Sequence, residues 1–97
     1  MLDFFIRKGK KMLYPYIEFP NELIVTHSEI KKDNSVWINF EQPCKNGFRE
    51  ARIALPQYKW LFNEGFSDKK IKEFEQFSHQ NAAMVYKYAR LGGINNA

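Results

Sequence analysis

Cysteine and histidine are nearly missing from this chain, with one cysteine and two histidines among 97 residues. A lone Cys44 excludes an intramolecular disulfide and any cysteine-built zinc cluster. His27 and His79 have no ligand spacing, so no metal is expected and both read as structural or surface residues. The glycines at positions 9, 47, 65, 92 and 93 lack the spacing of a loop that cradles phosphate, and no cofactor is implied. No run of about 18 apolar residues occurs, which excludes a transmembrane helix. Leu2, Phe4, Phe5 and Ile6 precede the first basic residues, the reverse of a signal peptide, so a cytoplasmic location is the expectation. Glu73 and Glu75 stand two apart on an expected helix and face different directions, so they form no paired-carboxylate site. With no catalytic residue to assign, an enzyme is not expected.

What the chain does have is aromatic side chains. They make up 16% of the sequence within a hydrophobic share of 44%, enough for a globular core and far from the composition of disorder. The formal charge is +4, yet most of it sits in residues 1–12, where Arg7, Lys8, Lys10 and Lys11 face only Asp3. The remainder is close to neutral. Residues 1–12 therefore read as a basic arm in front of a single domain, residues 13–97. The arm is a solvated tail on the simplest reading, with a phosphate-binding arm or a translated ribosome-binding segment ahead of a start at Met12 as alternatives.

The expected architecture is α+β, a three- to four-stranded antiparallel meander sheet covered on one face by two or three C-terminal helices. Strands are expected near 13–19, 22–27, 35–42 and 48–55. Pro15 argues that the first of these is an edge strand. The facing of the second stays open, because a one-residue change in the following loop turns the strand over. Val36, Ile38 and Phe40 alternate with Trp37, Asn39 and Glu41, and Asn46-Gly47 is a strong hairpin signal. If those two residues form the turn, Phe40 opposes Ile53, Ile38 opposes Leu55 and Glu41 opposes Arg52. Trp37 then lies on the outer face, where the N-terminal segment covers it, or it stays half-exposed, or it anchors a partner.

Pro56 suits a helix start, and Tyr58, Leu61 and Phe62 give an apolar side to a short helix over 56–64. Ser67 is the expected N-cap of the next helix, with Phe66 and Ile71 spaced as a hydrophobic staple. An apolar stripe through Ile71, Phe74, Phe77, Met84, Val85, Tyr88 and Leu91 is interrupted by Ser78, His79, Gln80 and Asn81. That interruption predicts a kink or two helices, near 67–78 and 80–91, with a stop at Gly92-Gly93.

The run Ala51 to Pro56, then Asn63 to Ser67, then Asn81 late in a helical region, resembles the C-terminal part of a family of small bacterial proteins of unknown function. The resemblance spans roughly residues 50–91. It implies a strand ending in proline, a short helix, a Gly-Phe-Ser restart and a helix carrying a polar asparagine. It also implies a protein encoded beside a small partner gene, in loci of the toxin–antitoxin or mobile-element kind, and it supplies no catalytic residues.

Balanced charge and surplus aromatics favour a small regulatory or accessory protein, antitoxin-like, that binds a protein partner or dimerises. Trp37, Tyr14, Tyr16 and Trp60 are the candidate contact residues. The alternative is nucleic-acid binding through Arg7, Lys8, Lys45, Arg49, Arg52, Lys69 and Lys70, with an aromatic stacking on a base. No membrane contact is expected.

Overall fold

Five antiparallel strands in the order β1-β2-β3-β4-β5 carry one long helix across one face. The structure is a computed structural model and describes residues 13–93. Arg7, Lys8 and the alternative start at Met12 lie outside the described residues. The strands are β1 (Tyr14–Phe19), β2 (Leu23–His27), β3 (Val36–Cys44), β4 (Gly47–Leu55) and β5 (Lys59–Glu64), and the helix is α1 (Asp68–Leu91). A single 3-10 turn, Pro20–Glu22, joins β1 to β2. The α+β class and the antiparallel meander are as expected, but the sheet has a fifth strand and the described residues hold one α-helix.

The fifth strand replaces the short helix expected over 56–64. A turn at residues 56–58 leads directly into β5, which pairs with β4 through Ile53–Trp60 and Arg52–Phe62. Leu61 is the extra residue of a bulge between those pairs. Tyr58 belongs to the turn, with φ +56°, and the bulge breaks the alternation of the strand after it, so the helix-like spacing of Tyr58, Leu61 and Phe62 spans a turn and a bulged strand.

The β3–β4 hairpin has the right apolar face but a different register. Lys45 and Asn46 form the turn, Cys44 pairs with Gly47, and the positive φ of +137° falls on Gly47, where no Cβ opposes it. Phe40 therefore opposes Ala51, Ile38 opposes Ile53 and Val36 opposes Leu55. A slip of two residues preserves the faces. It also sets the largest core ring beside the smallest core side chain, leaving volume above Ala51 for the helix. Pro43 lies beyond the last β2 partner of β3, Glu41, in an edge-like stretch where proline is tolerated. Pro15 sits on the edge strand β1.

One face holds the core. Val25, Val36, Ile38, Phe40, Ala51, Ile53 and Leu55 of the sheet pack under Phe66, Phe74, Val85 and Ala89. Ser67 caps α1, its hydroxyl accepting from the Lys70 amide at 3.2 Å. Gly92, with φ +81°, closes it in a left-handed turn. The helix runs unbroken through Ser78 and Asn81, against the expected kink or pair of helices. Each polar side chain donates back to a carbonyl one turn earlier: Ser78 to Phe74 at 2.8 Å and Asn81 to Phe77 at 2.9 Å. Tyr16 of β1 completes the second by donating to Asn81 Oδ1 at 2.8 Å. Ser78 and Ala89 are buried in place of Met84 and Leu91, which are exposed.

Phe66 precedes the helix cap, is 7% exposed, and meets Phe74 edge-on at 4.9 Å. Phe66→Ala should lower the unfolding free energy by about 3 kcal/mol, read by denaturant titration.

His27 is fully buried between Tyr14 and Tyr16, with ring centroids at 5.5 and 6.2 Å. Its Nδ1 lies 2.9 Å from the Ser28 carbonyl, and its Nε2 has no partner. Burial holds its pKa below the usual 6.5, against the raising effect of the Ser28 bond. Below that value the unfolded chain takes up a proton that the fold refuses, so stability should decline as pH falls through 6.5 and continue to decline until the folded state titrates. Unfolding midpoints measured across this range should show the slope in the parent chain and in His79→Gln, and a flatter profile in His27→Leu.

Candidate functional site

Alternation in β3, β4 and β5 sends a second set of side chains to the face opposite the helix. Among the described residues no helix or strand packs over that face. Its centre is Trp37, Asn39, Arg52, Ala54 and Phe62, joined by the pairs Trp37–Ala54, Asn39–Arg52 and Arg52–Phe62. Lys31 Nζ stands 3.7 Å from the centre of the Trp37 ring. The Arg52 guanidinium lies 5.1 Å from the same ring and 5.2 Å from that of Phe62. Arg52 Nε donates to Asn39 Oδ1 at 3.0 Å, and its Nη2 is 3.7 Å from Glu50. Burial pulls the Arg52 pKa below its usual range, while Glu50 and Glu41 act in the other direction.

Beside this cluster lies a feature that the expected register concealed. Glu41 opposes Glu50, and Glu50 opposes Glu64, so three carboxylates form a row across β3, β4 and β5. Like charges directly opposite one another destabilise a sheet. Burial and then Glu50 push the Glu41 pKa up, with Arg52 opposing. The expected Glu41–Arg52 pair is absent because the hairpin turns one position earlier.

On the helix side a groove of about 380 Å³ opens between the Pro20–Glu22 turn and the first half of α1. Phe19, Leu23, Phe40, Phe74 and Phe77 form its apolar walls, and Asn21, Gln42, Lys70 and Glu73 its rim. A smaller cleft of about 190 Å³ continues from it past Gln42 and Lys70 to Arg49, Phe66 and Ser67.

The candidate contact aromatics are divided between these surfaces. Trp37 stands on the open face. Tyr14 and Tyr16 pack on His27, Tyr16 also meets Phe77 and Tyr88, and Trp60 lies 6.2 Å from Phe40. Those three are half-buried, largely committed to joining β1 and β5 to the core. The basic candidates are divided too. Arg49 and Lys70 share the smaller cleft, Lys45 is exposed in the hairpin turn, Lys69 is exposed in the first turn of α1, and Arg52 faces the other way. These five described candidates do not form one basic surface.

His27 and His79 remain apart, the former in the core and the latter exposed and stacked on Tyr58 at 3.6 Å. Among the described residues no group of three or more His, Cys, Asp or Glu is arranged to hold a metal ion. No described helix is long and apolar enough to cross a membrane. No family model, curated protein or solved structure matches the chain.

Sequence reasoning put Glu41 on this face but opposite Arg52, and it did not single out Asn39, Glu50, Glu64 and Lys31 there. The strand alternation announced their face, but only the true turn shows which of them meet. Arg52→Ala leaves the buried Asn39 carbonyl unpaired and strips one cation from Trp37. It should cost about 2 kcal/mol in chemical denaturation, whereas Arg49→Ala at its exposed position should cost under about 0.5 kcal/mol.

Proposed function

We propose that this is a small non-enzymatic regulatory or accessory protein of the cytoplasm, antitoxin-like, that works by holding a protein partner or a second copy of itself. The groove beside α1 is the observation that carries this reading. Its volume of about 380 Å³ and its phenylalanine walls suit an apolar anchor side chain from a partner, and its rim offers an amide, an ammonium and a carboxylate to fix orientation. Part of the aromatic surplus lines this groove, through Phe19, Phe40, Phe74 and Phe77.

Light scattering after size exclusion is expected to give a dimer or a heteromer. Gln42→Trp fills the mouth shared by both clefts and should weaken association at least about tenfold, equivalent to 1.4 kcal/mol, with little change in thermal stability. A monomer at every concentration, or association indifferent to Gln42→Trp, contradicts the proposal.

One observation favours a second reading, nucleic-acid binding. Arg49 and Lys70 line the same small cleft beside the capped start of α1, with Lys69 exposed next to it. Phosphate contacts of that kind bind more weakly as salt rises. Titration with duplex and single-stranded DNA at several salt concentrations decides it, and binding that is absent even at low salt removes this reading.

A further inference from the structure

Phe48 is 64% exposed, the most open large apolar side chain among the described residues. It stands beside the β3–β4 turn and pairs with Pro43, leaving in water an aromatic surface that burial would stabilise. Its neighbour Arg49 lines the small cleft with Phe66 and Ser67 on the helix side, so alternation puts Phe48 on the opposite face of the sheet. Gln42, the strand partner of Arg49, lines the groove beside α1. Groove and phenylalanine thus flank the same end of the sheet from opposite sides, and the ring cannot enter the groove of its own chain.

A two-fold axis removes that separation. An axis lying in the plane of the sheet and perpendicular to the strands reverses both strand direction and face. Set across the hairpin end, it brings two copies end to end and turns the Phe48 side of each toward the groove side of the other. Such an interface is isologous and closed, so the contact forms twice. The two patches also match in chemistry. The groove has phenylalanine walls, and its lip is held in place: Gln42 Nε2 donates to the Asn21 carbonyl at 3.1 Å, while Asn21 and Glu22 keep left-handed φ values of 74° and 63°. A ring entering a site already fixed in this way loses little affinity to ordering it. Lys45 is exposed in the hairpin turn, and Glu22 and Glu73 are exposed at the groove, so the charges around the two patches are complementary.

We infer that the groove beside α1 takes Phe48 of a second copy of this chain, giving a two-fold dimer in which each hairpin end enters the other's groove with Lys45 toward Glu22 and Glu73. The inference rests on the reading of the groove as a protein-binding site and names its occupant. It also gives the exposed ring at the hairpin end a role that no contact within the chain supplies.

Sedimentation of the full chain, with one species labelled at its N-terminal amine, tests the pairing. Phe48→Ser should weaken the dimer at least about tenfold. Phe48→Leu should weaken it less, and both should keep the parent's thermal midpoint because the position is exposed. A mixture of Phe48→Ser with Gln42→Trp decides which surfaces meet. Its mixed dimer retains one contact between a native Phe48 and a native groove, so it should be tighter than the geometric mean of the two variant dimers by at least about threefold. A mixed dimer at that mean overturns the inference, because ring and groove then act separately. Phe48→Ser that associates like the parent overturns it too, and the groove reading survives if Gln42→Trp still weakens association. Association with a different protein alone, without self-association, likewise overturns the inference and spares the groove reading. A chain that stays monomeric in every mixture contradicts both.

Discussion

Phe40 of β3 and Phe74 of α1 stack at 4.3 Å with their rings 4° apart, and the rest of the molecule is arranged around that contact. It joins the central strand of the sheet to the helix, two elements separated by two further strands in sequence. Phe66 meets Phe74 edge-on at 4.9 Å, Phe77 meets Phe40 at 5.9 Å, and Trp60 approaches Phe40 at 6.2 Å. Offset and edge-on aromatic pairs add about 0.5–1.5 kcal/mol each beyond the area they bury. Through Phe77 the cluster extends to Phe19 and Tyr16, which ties the edge strand β1 to the same helix. Space for the stack depends on Ala51 opposite Phe40, and thus on the turn at Lys45-Asn46.

Commitment of the helix to one face leaves the other to polar and charged residues. That face stays ordered by a different means. Trp37 lies under two cations, and Arg52 shares its donors among Asn39, Glu50 and the two neighbouring rings. A guanidinium held in this way excludes water from Asn39 while remaining charged. The three opposed glutamates work against the sheet, and their repulsion is relieved by any cation brought to them. The molecule thus presents an apolar groove beside the helix and an acidic, aromatic plane on the opposite side.

Most of the fold can be read where local chemistry and long-range packing agree. Alternation through Val36, Ile38 and Phe40, the edge-strand proline at 15, the Ser67 cap and the Gly92 stop all appear as the residue types imply. Misreadings arise where tertiary contacts satisfy what looks locally like a break. Ser78 and Asn81 find carbonyls within the helix, and Tyr16, distant in sequence, supplies the remaining donor, so the polar interlude causes no kink. Leu61 is a bulge residue, and one inserted residue is enough to give a strand the spacing of a helix. Asn46-Gly47 marks the hairpin correctly but not its central pair, and a shift of one turn position changes every partner by two. The surfaces are least legible for that reason. Whether Glu41 faces Arg52 or Glu50 depends wholly on that register, and the groove joins residues from β1 to α1 that no local pattern connects.

The central claim is that the Phe40–Phe74 stack couples sheet to helix, and a double-mutant cycle measures it directly. Phe40→Leu, Phe74→Leu and the double variant, compared with the parent chain in denaturant titrations, should give a favourable coupling energy of about 1 kcal/mol. Additive losses, with a coupling near zero, would contradict the account.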